Sequence, residues 1–309
     1  MNSVRAFAPA TVANVSCGFD ILGFAIDAMG DVVEVRERNK QGLQVVSITG
    51  DGGRLPFEAE RNTCAVAIKA MLDELGQDIG MEIYLEKGLP LGSGMGSSAA
   101  SAVAALVAAN RLLGEPFEKK QLLPFAMVAE KVACGAGHAD NVAPSLLGGF
   151  VLIRDYHPLD VIKLHVPDGL HCTLLHPHFE LKTSDSRSVL RDSVSLKHST
   201  IQSGNVAGLI AGLFQEDFEL IGRSLRDVIA EPYRATLIPG FYEVKEAVKA
   251  AGALGMGISG SGPTLFALSK GEQTVQSIID AAQQVYDSIG LGVDTFHSAI
   301  NTQGAFVLE

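Results

Sequence analysis

The sequence predicts an α+β fold in two domains, and three observations support this prediction. The chain has 309 residues, more than a single hydrophobic core usually serves. In the first half, an alternating apolar segment leads through a glycine-serine stretch into an alanine-rich segment, which is the order strand, loop, helix. In the second half, the segments follow the order β-α-α-β-β-α-β, typical of helices on one face of an antiparallel sheet.

In the first half, strands are predicted where residues alternate or run apolar, and helices where apolar residues recur at helical spacing. The predicted strands are 4–7, 32–38, 43–48, 81–87 and 150–154, and the second and third are expected to form a hairpin. The predicted helices are 61–75, which Asn62 or Thr63 could cap, then 99–113 and 124–134. Residues 135–141 are predicted to form a loop, since they hold two glycines.

In the second half, the same signals predict four strands and three helices. The strands are 171–175, 254–258, 264–268 and 295–299, and the helices are 205–230, 240–252 and 272–289. Residues 155–168 are mixed and interrupted by prolines, which is typical of a linker. We therefore predict an N-terminal domain at 1–160 and a second domain at 161–309.

The composition excludes several classes of protein. The chain is 47% hydrophobic and 19% charged, which is typical of a globular protein, and its net charge of −11 argues against nucleic-acid or anionic-membrane partners. No apolar run approaches the roughly 20 residues that a membrane-spanning helix needs. The four cysteines have no CxxC pairing. We expect a soluble cytoplasmic protein with free thiols and small-molecule partners.

A loop rich in glycine and serine follows the predicted strand 81–87. It consists of Pro90, Leu91, Gly92, Ser93, Gly94, Met95, Gly96, Ser97 and Ser98. Glycines let a ligand approach the backbone closely, and the free amides of a helix N-terminus attract phosphate. The spacing matches neither the Walker nor the dinucleotide fingerprint. On spacing alone, phosphate binding and an ordinary turn are equally good interpretations.

The same loop closely resembles the Pro-x-Gly-x-Gly-x-Gly-Ser-Ser-Ala motif of the GHMP small-molecule kinases. Five further motifs, in order between residues 9 and 264, resemble those of the homoserine kinase family within that group. They are Pro9-Ala10-Thr11 with Asn14 and Gly18-Phe19-Asp20; Gly137-His138-Ala139-Asp140-Asn141 with Gly148-Gly149; Thr183 with Arg187; Tyr233-Arg234-Ala235; and Ser259-Gly260-Ser261-Gly262-Pro263-Thr264.

The resemblance implies a GHMP kinase fold, with a ribosomal-protein-S5-like β/α domain followed by a ferredoxin-like α+β domain. It implies ATP-dependent phosphorylation of L-homoserine in threonine biosynthesis, with ATP and Mg²⁺ as cofactors and a homodimer as the usual assembly. ATP is expected to bind the loop from Pro90 to Ser98, with Asn62 and Thr183 nearby.

Two residues are candidates for holding the metal. Ser98 offers a hydroxyl at the end of the loop, and Glu130 offers the hard carboxylate that Mg²⁺ prefers. By helical spacing alone, Phe125, Val128 and Val132 form an apolar face and Glu130 lies off it, as a solvated surface residue would. The resemblance favours the metal role instead.

A zwitterionic amino acid with a terminal hydroxyl needs three kinds of partner. Arg187 and Arg234 could bind its carboxylate, with His138 as a further donor, and Asp20 or Asp140 could bind its ammonium group. Asn14 and Asn141 could hydrogen-bond near the hydroxyl. Taken singly, Arg187 could be a loop charge, Asn14 a helix cap and His138 a structural residue. Their occurrence together in family order favours the substrate site.

The catalytic base is ambiguous in the sequence. Related mevalonate-type kinases carry an aspartate just upstream of a Gly-Gly pair. Counting forward from the preceding loop places it at Asp140, and counting back from Gly148-Gly149 places it at Asn141. We favour the second alignment, in which Asn141 orients the hydroxyl, Asp140 shapes the pocket and no side chain acts as the base. The catalytic residues are then Ser98, Glu130 and Asn141.

Two alternatives remain open at this point. Another kinase of the same fold, acting on mevalonate or a sugar, would leave the two arginines and the His-Ala-Asp-Asn motif unexplained. A nucleotide-binding regulator without catalysis would be expected to have lost Ser98 or Glu130, and the chain has both.

Overall fold

In the computed structural model, which describes residues 2–135 and 137–309, the strands form two sheets. The strands are β1 (Ser3–Ala13), β2 (Leu22–Glu37), β3 (Leu43–Thr49), β4 (Met81–Glu86), β5 (Phe150–Tyr156), β6 (Leu159–Lys163), β7 (Leu170–Pro177), β8 (Gly255–Ile258), β9 (Leu265–Lys270), β10 (Val293–Ala299) and β11 (Phe306–Leu308). The mixed α+β class is therefore confirmed.

The helices fall into two groups along the chain. The first group is α1 (Thr63–Glu74), α2 (Ser97–Leu112), α3 (Leu123–Cys134) and α4 (Ala139–Leu147), with a 3-10 turn at Lys119–Leu122. The second group is α5 (Thr183–Ser188), α6 (Leu196–Gln215), α7 (Phe218–Ser224), α8 (Glu231–Arg234), α9 (Phe241–Ala250) and α10 (Val275–Ser288), with a 3-10 turn at Ala235–Leu237. None of these helices combines the length and apolar character needed to cross a membrane.

The first sheet has seven strands in the order β11-β1-β2-β4-β3, and β5 and β6 extend it from the first half of β2. The predicted hairpin of 32–38 and 43–48 is wrong, because β4 lies between β2 and β3 and pairs with β3 in parallel. Pattern alone predicts strands but not their partners. Here the crossover through α1 connects β3 to β4 in parallel and places β4 between β2 and β3.

Helix α2 lies at the centre of the first domain. Twelve of its sixteen residues are buried, and it packs on β1, β2 and the neighbouring helices. A helix that is apolar on every side belongs inside the protein, and its many alanines allow the close approach of all these neighbours. The N-terminus of α2, where the glycine-serine loop ends, is therefore held in a fixed position.

The second sheet is antiparallel throughout, in the order β10-β7-β9-β8. Neighbouring residues along its strands point to opposite faces. Leu174 and Phe266 belong to the core shared with the first domain, whereas Leu175 and Leu265 belong to a second core beneath α9 and α10. The Phe24 and Phe266 rings meet edge to face at 5.8 Å and join the two sheets.

The predicted helix 205–230 is interrupted. Helix α6 ends at Gln215, Glu216 takes a left-handed φ of 55°, and the side chain of Asp217 caps α7 by accepting a hydrogen bond from the Leu220 amide. Aspartate competes with helical hydrogen bonding through its own carboxylate, so it favours a new helix start here.

The predicted loop 135–141 is partly wrong, because α4 begins at Ala139 and includes Asp140 and Asn141. Ala136 lies outside the described residues.

The domain division at residue 160 stays a prediction. The membership of the first sheet suggests a later boundary, since β6 extends to Lys163, and β11 returns to pair with β1.

Candidate active site

A cleft of about 590 Å³ lies beside the glycine-serine loop, lined by residues of both halves of the chain. All of the predicted site residues line it except Pro90 and Met95. Met95 is fully buried in the core, and its carbonyl accepts a hydrogen bond from the Thr11 amide. Pro90 stabilises the loop, because its carbonyl accepts a hydrogen bond from the Ser93 hydroxyl at 2.8 Å.

The loop depends on glycine at two positions of close approach. Gly94 and Gly96 have φ values of 81° and 68°. A Cβ on Gly94 would lie 2.5 Å from the carbonyl oxygen of Ser259, and one on Gly96 would lie 2.0 Å from the hydroxyl of Thr11. Gly96 leads directly into α2, whose first-turn amides have no partner within the helix. The arrangement provides an anion site at the helix start.

A buried ion pair that sequence reasoning missed fixes the start of α2. The ammonium group of Lys87 contacts the Asp31 carboxylate and donates to the Ser97 carbonyl at 2.8 Å and the Ser101 hydroxyl at 2.9 Å. The Asp31 carboxylate also accepts from the Gly88 amide at 3.0 Å. The two charged side chains are 1% and 0% exposed. In the sequence, the only sign of this ion pair is that Asp31 and Lys87 are charged residues beside apolar strand segments.

Glu130 and Ser98 face the cleft from α3 and α2. The apolar-face assignment for α3 is wrong, because Val128 and Val132 are 45% and 48% exposed and Glu130 is 6% exposed. Alanines such as Ala126 pack α3 against its neighbours and leave the carboxylate on the inner side. The periodicity argument considered only the large apolar side chains and overlooked the alanines, so it assigned the wrong face of α3 to the core.

The Glu130 carboxyl is buried and only partly satisfied by hydrogen bonds. Its Oε1 is buried and has no hydrogen-bond partner. Burial raises its pKa to about 7, and the Ser98 hydroxyl and the Lys87 ammonium offset only part of that shift. A carboxylate that is buried without a partner is costly, so the site favours a proton or a cation on this group.

At the other end of the cleft, three predicted substrate residues contact one another. Arg187 donates to the Asp20 carboxylate at 3.3 Å and to Nε2 of His138 at 3.1 Å. Because Arg187 can only donate, Nε2 of His138 accepts, and the ring proton lies on Nδ1, 3.5 Å from Asp20. Burial lowers the pKa of His138 against the opposing effect of Asp20. The histidine is therefore neutral in this arrangement.

Arg234 lies deeper than Arg187 and is only 4% exposed. It donates to the carbonyls of Ser186 and Gly260 at 3.1 and 3.0 Å, and its guanidinium lies 5.1 Å from the centre of the Phe19 ring. The Asn14 amide donates to the same Gly260 carbonyl at 2.8 Å. Both predicted substrate residues thus converge on one loop of the second domain.

Asp140 and Asn141 occupy neighbouring positions in α4 with different surroundings. Asp140 is 4% exposed, and burial and the carboxylates of Asp20 and Glu130 raise its pKa to about 7. Asn141 accepts a hydrogen bond from the Thr11 hydroxyl at 2.7 Å, beside Gly96. Asn141 therefore lies next to the glycine-serine loop, and Asp140 lies between the two ends of the cleft.

The remaining predicted residues line the walls of the cleft. Asn62 caps α1 by accepting from the Cys64 amide at 3.1 Å and donates to the Pro56 carbonyl at 2.9 Å. Both polar atoms of the Asn62 side chain are thus hydrogen-bonded within the protein, and the residue holds the Pro56 segment in the wall of the cleft. Thr183 begins α5, and its hydroxyl lies 3.2 Å from that of Ser261. Leu55, Pro56, Arg61 and Ser101 also line the cleft and were not singled out from the sequence.

Comparison with known proteins places the chain among small-molecule kinases. The family model described as GHMP kinases N terminal domain matches residues 62–149, and the one described as GHMP kinases C terminal matches residues 209–288. The chain is similar to the homoserine kinases of Chlorobium phaeovibrioides, at 52% identity over 100% of both chains, and of Chlorobaculum tepidum, at 50% over 100% and 99%.

Solved structures show the same similarity. The crystal structure of homoserine kinase from Cytophaga hutchinsonii matches with a TM-score of 0.97 and 54% identity, covering 100% of this chain and 98% of that one. The mevalonate kinase of L. major in complex with R-mevalonate matches with a TM-score of 0.68 and 16% identity over 97% and 96% of the chains, which concerns the fold alone.

Proposed function

The chain belongs to the GHMP kinase family and within it to the homoserine kinases, and on this premise we propose how its cleft phosphorylates L-homoserine. The reaction transfers the γ-phosphoryl group of ATP to the side-chain hydroxyl and gives ADP and O-phospho-L-homoserine. The family, the two-domain fold and the kinase activity expected from the motifs are confirmed. The roles of individual residues below are our proposal.

The distribution of charge along the cleft carries the proposal. One end offers the start of α2 and a glycine-serine loop, which suit phosphates. The other end offers two guanidinium groups, those of Arg187 and Arg234, beside the Asp20 carboxylate. A zwitterionic amino acid has the complementary charges. Asp140 and Asn141 lie where the two ends meet, and a hydroxyl there would lie against the γ-phosphate.

The residues present fit a Mg²⁺ ion. Within the described part of the chain, no three His, Cys, Asp or Glu side chains form a metal cluster. Mg²⁺ commonly binds one or two protein ligands together with substrate phosphates and water. The unpartnered Glu130 oxygen and the Ser98 hydroxyl suit such a site. When bound, Mg²⁺ would neutralise charge on the phosphates.

Homoserine would exchange an internal ion pair for two intermolecular ones. Without substrate, Arg187 and Asp20 partly neutralise each other at 3.3 Å. The ammonium group of homoserine would take the Asp20 carboxylate, and its carboxylate would take Arg187 and Arg234. Neutral His138, whose Nδ1 lies 3.5 Å from the Asp20 carboxylate, would remain beside this site. The side chain of homoserine would then extend toward Asn141.

We propose that no side chain acts as the base. Asn141 orients the hydroxyl and Asp140 shapes the pocket beside it. The proton can leave through the γ-phosphate or water, because the loose transition state of phosphoryl transfer permits late deprotonation of the nucleophile.

Asp140→Asn tests this assignment. We expect the variant to raise the KM for homoserine while the kcat–pH profile at saturating substrates keeps its shape. If Asp140 is the base, kcat instead collapses by about 10²- to 10⁴-fold, and the acid limb that its raised pKa places near pH 7 disappears. Asp168→Asn, an exposed aspartate away from the cleft, is the matched control.

An ADP-release assay over a panel of alcohols tests the substrate. With ATP and Mg²⁺, homoserine is expected to give a higher kcat/KM than serine, threonine, mevalonate or galactose. Mevalonate and galactose lack the ammonium and carboxylate pair that Asp20 and the two arginines would bind. Serine and threonine have this pair, but their hydroxyl lies one methylene closer to it and would not reach the γ-phosphate in the same pose. A reaction without acceptor gives the background hydrolysis. Equal or better turnover of mevalonate or galactose would contradict the assignment.

We also propose a cytoplasmic location and a homodimer. The location rests on the activity, since ATP and a free amino acid are cytoplasmic substrates, and on four free cysteines, which suit a reducing compartment. The homodimer rests on the family resemblance. The acidic net charge of −11 makes nucleic acid an unsuitable partner.

A further inference from the structure

Gln202 of helix α6 joins two segments that form the homoserine end of the cleft. Its side chain is 7% exposed and uses all of its amide hydrogen-bond donors. The Nε2 group donates to the Cys17 carbonyl at 2.7 Å and to the Asp227 carboxylate at 2.9 Å, and Oε1 accepts from the Val228 amide at 2.9 Å. Gln202 does not line the cleft.

The first of these segments is an unusual turn after β1. Asn14, Val15 and Ser16 take φ values of 69°, 41° and 59° in succession. Left-handed conformations are unfavourable for residues other than glycine, and most of all for a β-branched residue such as Val15. The Gly18 amide donates to the Asn14 carbonyl at 2.8 Å and closes the turn from within. A conformation of this kind persists only where its surroundings hold it.

The turn places Phe19 and Asp20 against the predicted substrate residues. The Phe19 ring lies 5.1 Å from the Arg234 guanidinium, and the Asp20 amide donates to the Asn14 side chain at 2.9 Å. The Cys17 carbonyl, which Gln202 holds, is only two residues before Phe19. A shift of the turn would therefore move Asp20 relative to Arg234.

The second segment leads into the helix that carries Arg234. The Asp227 carboxylate accepts hydrogen bonds from the Ile229 amide at 2.8 Å, from the Ala230 amide at 3.1 Å and from the Glu231 amide at 2.8 Å. These bonds cap the start of α8, whose last residue is Arg234. Asp227 is 8% exposed. Gln202 donates to the same Asp227 carboxylate and also to the Cys17 carbonyl, so it connects the start of α8 to the turn after β1.

We propose that Gln202 is a positioning residue for homoserine, acting with Asp227 to set the distance between Asp20 and Arg234. The inference rests on the proposed function, because it assigns these two charges to the ammonium and carboxylate groups of one substrate. Gln202 contacts neither substrate. It couples the strained turn of the first domain to the capped helix of the second, so losing it changes homoserine binding and leaves the nucleotide end unchanged.

Asn205 offers a matched control on the same helix. It lies one turn further along α6 and donates to the Arg226 carbonyl at 2.8 Å, so it also joins α6 to the segment before α8. It is half-buried, and the bonds to Cys17 and Asp227 come from Gln202 and not from Asn205. Asn205→Met therefore removes a link of the same kind without releasing the turn.

The experiment compares the parent with Gln202→Met, Gln202→Asn and Asn205→Met in the ATP–homoserine assay. Methionine keeps the length of glutamine without its hydrogen bonds, and asparagine keeps the amide but cannot span both partners. We expect both Gln202 variants to raise the KM for homoserine about 10-fold, with the KM for ATP within about two-fold. Asn205→Met is expected to leave both constants within about two-fold of the parent.

Melting temperatures separate positioning from general destabilisation. A merely structural role lowers the melting temperature and the active fraction, and moves neither KM selectively. If Gln202→Met does not fold, Gln202→Asn carries the test. The inference would be overturned if the Gln202 variants left the KM for homoserine unchanged, or raised the KM for homoserine and the KM for ATP equally. In either case, an active parent would still support the proposed function. A parent without homoserine turnover would overturn both.

Discussion

Replacing Glu130 with Gln, or Ser98 with Ala, is expected to lower kcat by about 100-fold or more while the KM for homoserine changes little. In the proposed site, Ser98→Ala removes an oxygen ligand of the cation, and Glu130→Gln replaces a charged carboxylate by a neutral amide that binds Mg²⁺ more weakly. A metal contact stabilises the transferring phosphoryl group in the transition state specifically, so its loss appears in kcat.

The measurement is steady-state turnover at saturating ATP and homoserine over a range of Mg²⁺ concentrations. Glu246→Gln, an exposed glutamate on α9 away from the cleft, is the control. A variant at Ser98 or Glu130 that kept nearly the parental kcat at saturating Mg²⁺ would show that the residue does not hold the metal.

Stability measured without metal gives a second, independent readout for Glu130. Burial raises its pKa from 4.5 to about 7, so between these values the folded protein binds more protons than the unfolded chain. The free energy of unfolding therefore falls as pH rises through this window. Glu130→Gln is expected to flatten part of the decline, and Asp140, whose pKa is also raised to about 7, accounts for a further part.

Replacing Arg234 or Arg187 with Leu is expected to raise the KM for homoserine by about 10- to 100-fold and to change the KM for ATP much less. In the proposed binding mode, each arginine supplies a charge-assisted hydrogen bond to the substrate carboxylate, worth about 1.5–3 kcal/mol. The larger effect is expected at Arg234, because at 4% exposure it is shielded from the solvent that screens Arg187.

An analogue without the carboxylate, 3-aminopropan-1-ol, separates recognition from damage to the fold. It should bind both variants about as weakly as it binds the parent, because the missing contact is absent in every case. Arg223→Leu, at an exposed arginine on α7, is the control for loss of positive charge. A selective rise in the KM for ATP would place these arginines on the phosphates instead.

The strand, the glycine-serine loop and the helix that follows it are well predicted from the sequence because their determinants are local. A strand, three glycines and an alanine-rich helix follow one another in the chain, and each has a periodicity or a composition of its own. Helix α2 and strand β4 accordingly end within two residues of their predicted bounds.

Features that depend on distant contacts could not be predicted. The buried position of Glu130 follows from the packing of α3 through alanines, which carry little hydrophobic signal. The Lys87–Asp31 pair joins residues 56 positions apart, and Gln202 holds a turn 185 positions away. Single polar residues in apolar segments mark such sites, but the pattern does not say which residue is the partner.

The sheet of the second domain has a consequence for how the protein unfolds. Adjacent residues on β7, such as Leu174 and Leu175, belong to different cores, and so do Leu265 and Phe266 on β9. If either core unfolds, one face of the second sheet loses its packing, and the sheet that also forms part of the other core is destabilised. We therefore expect the two domains to unfold in one cooperative transition, with neither stable as a separate folding unit.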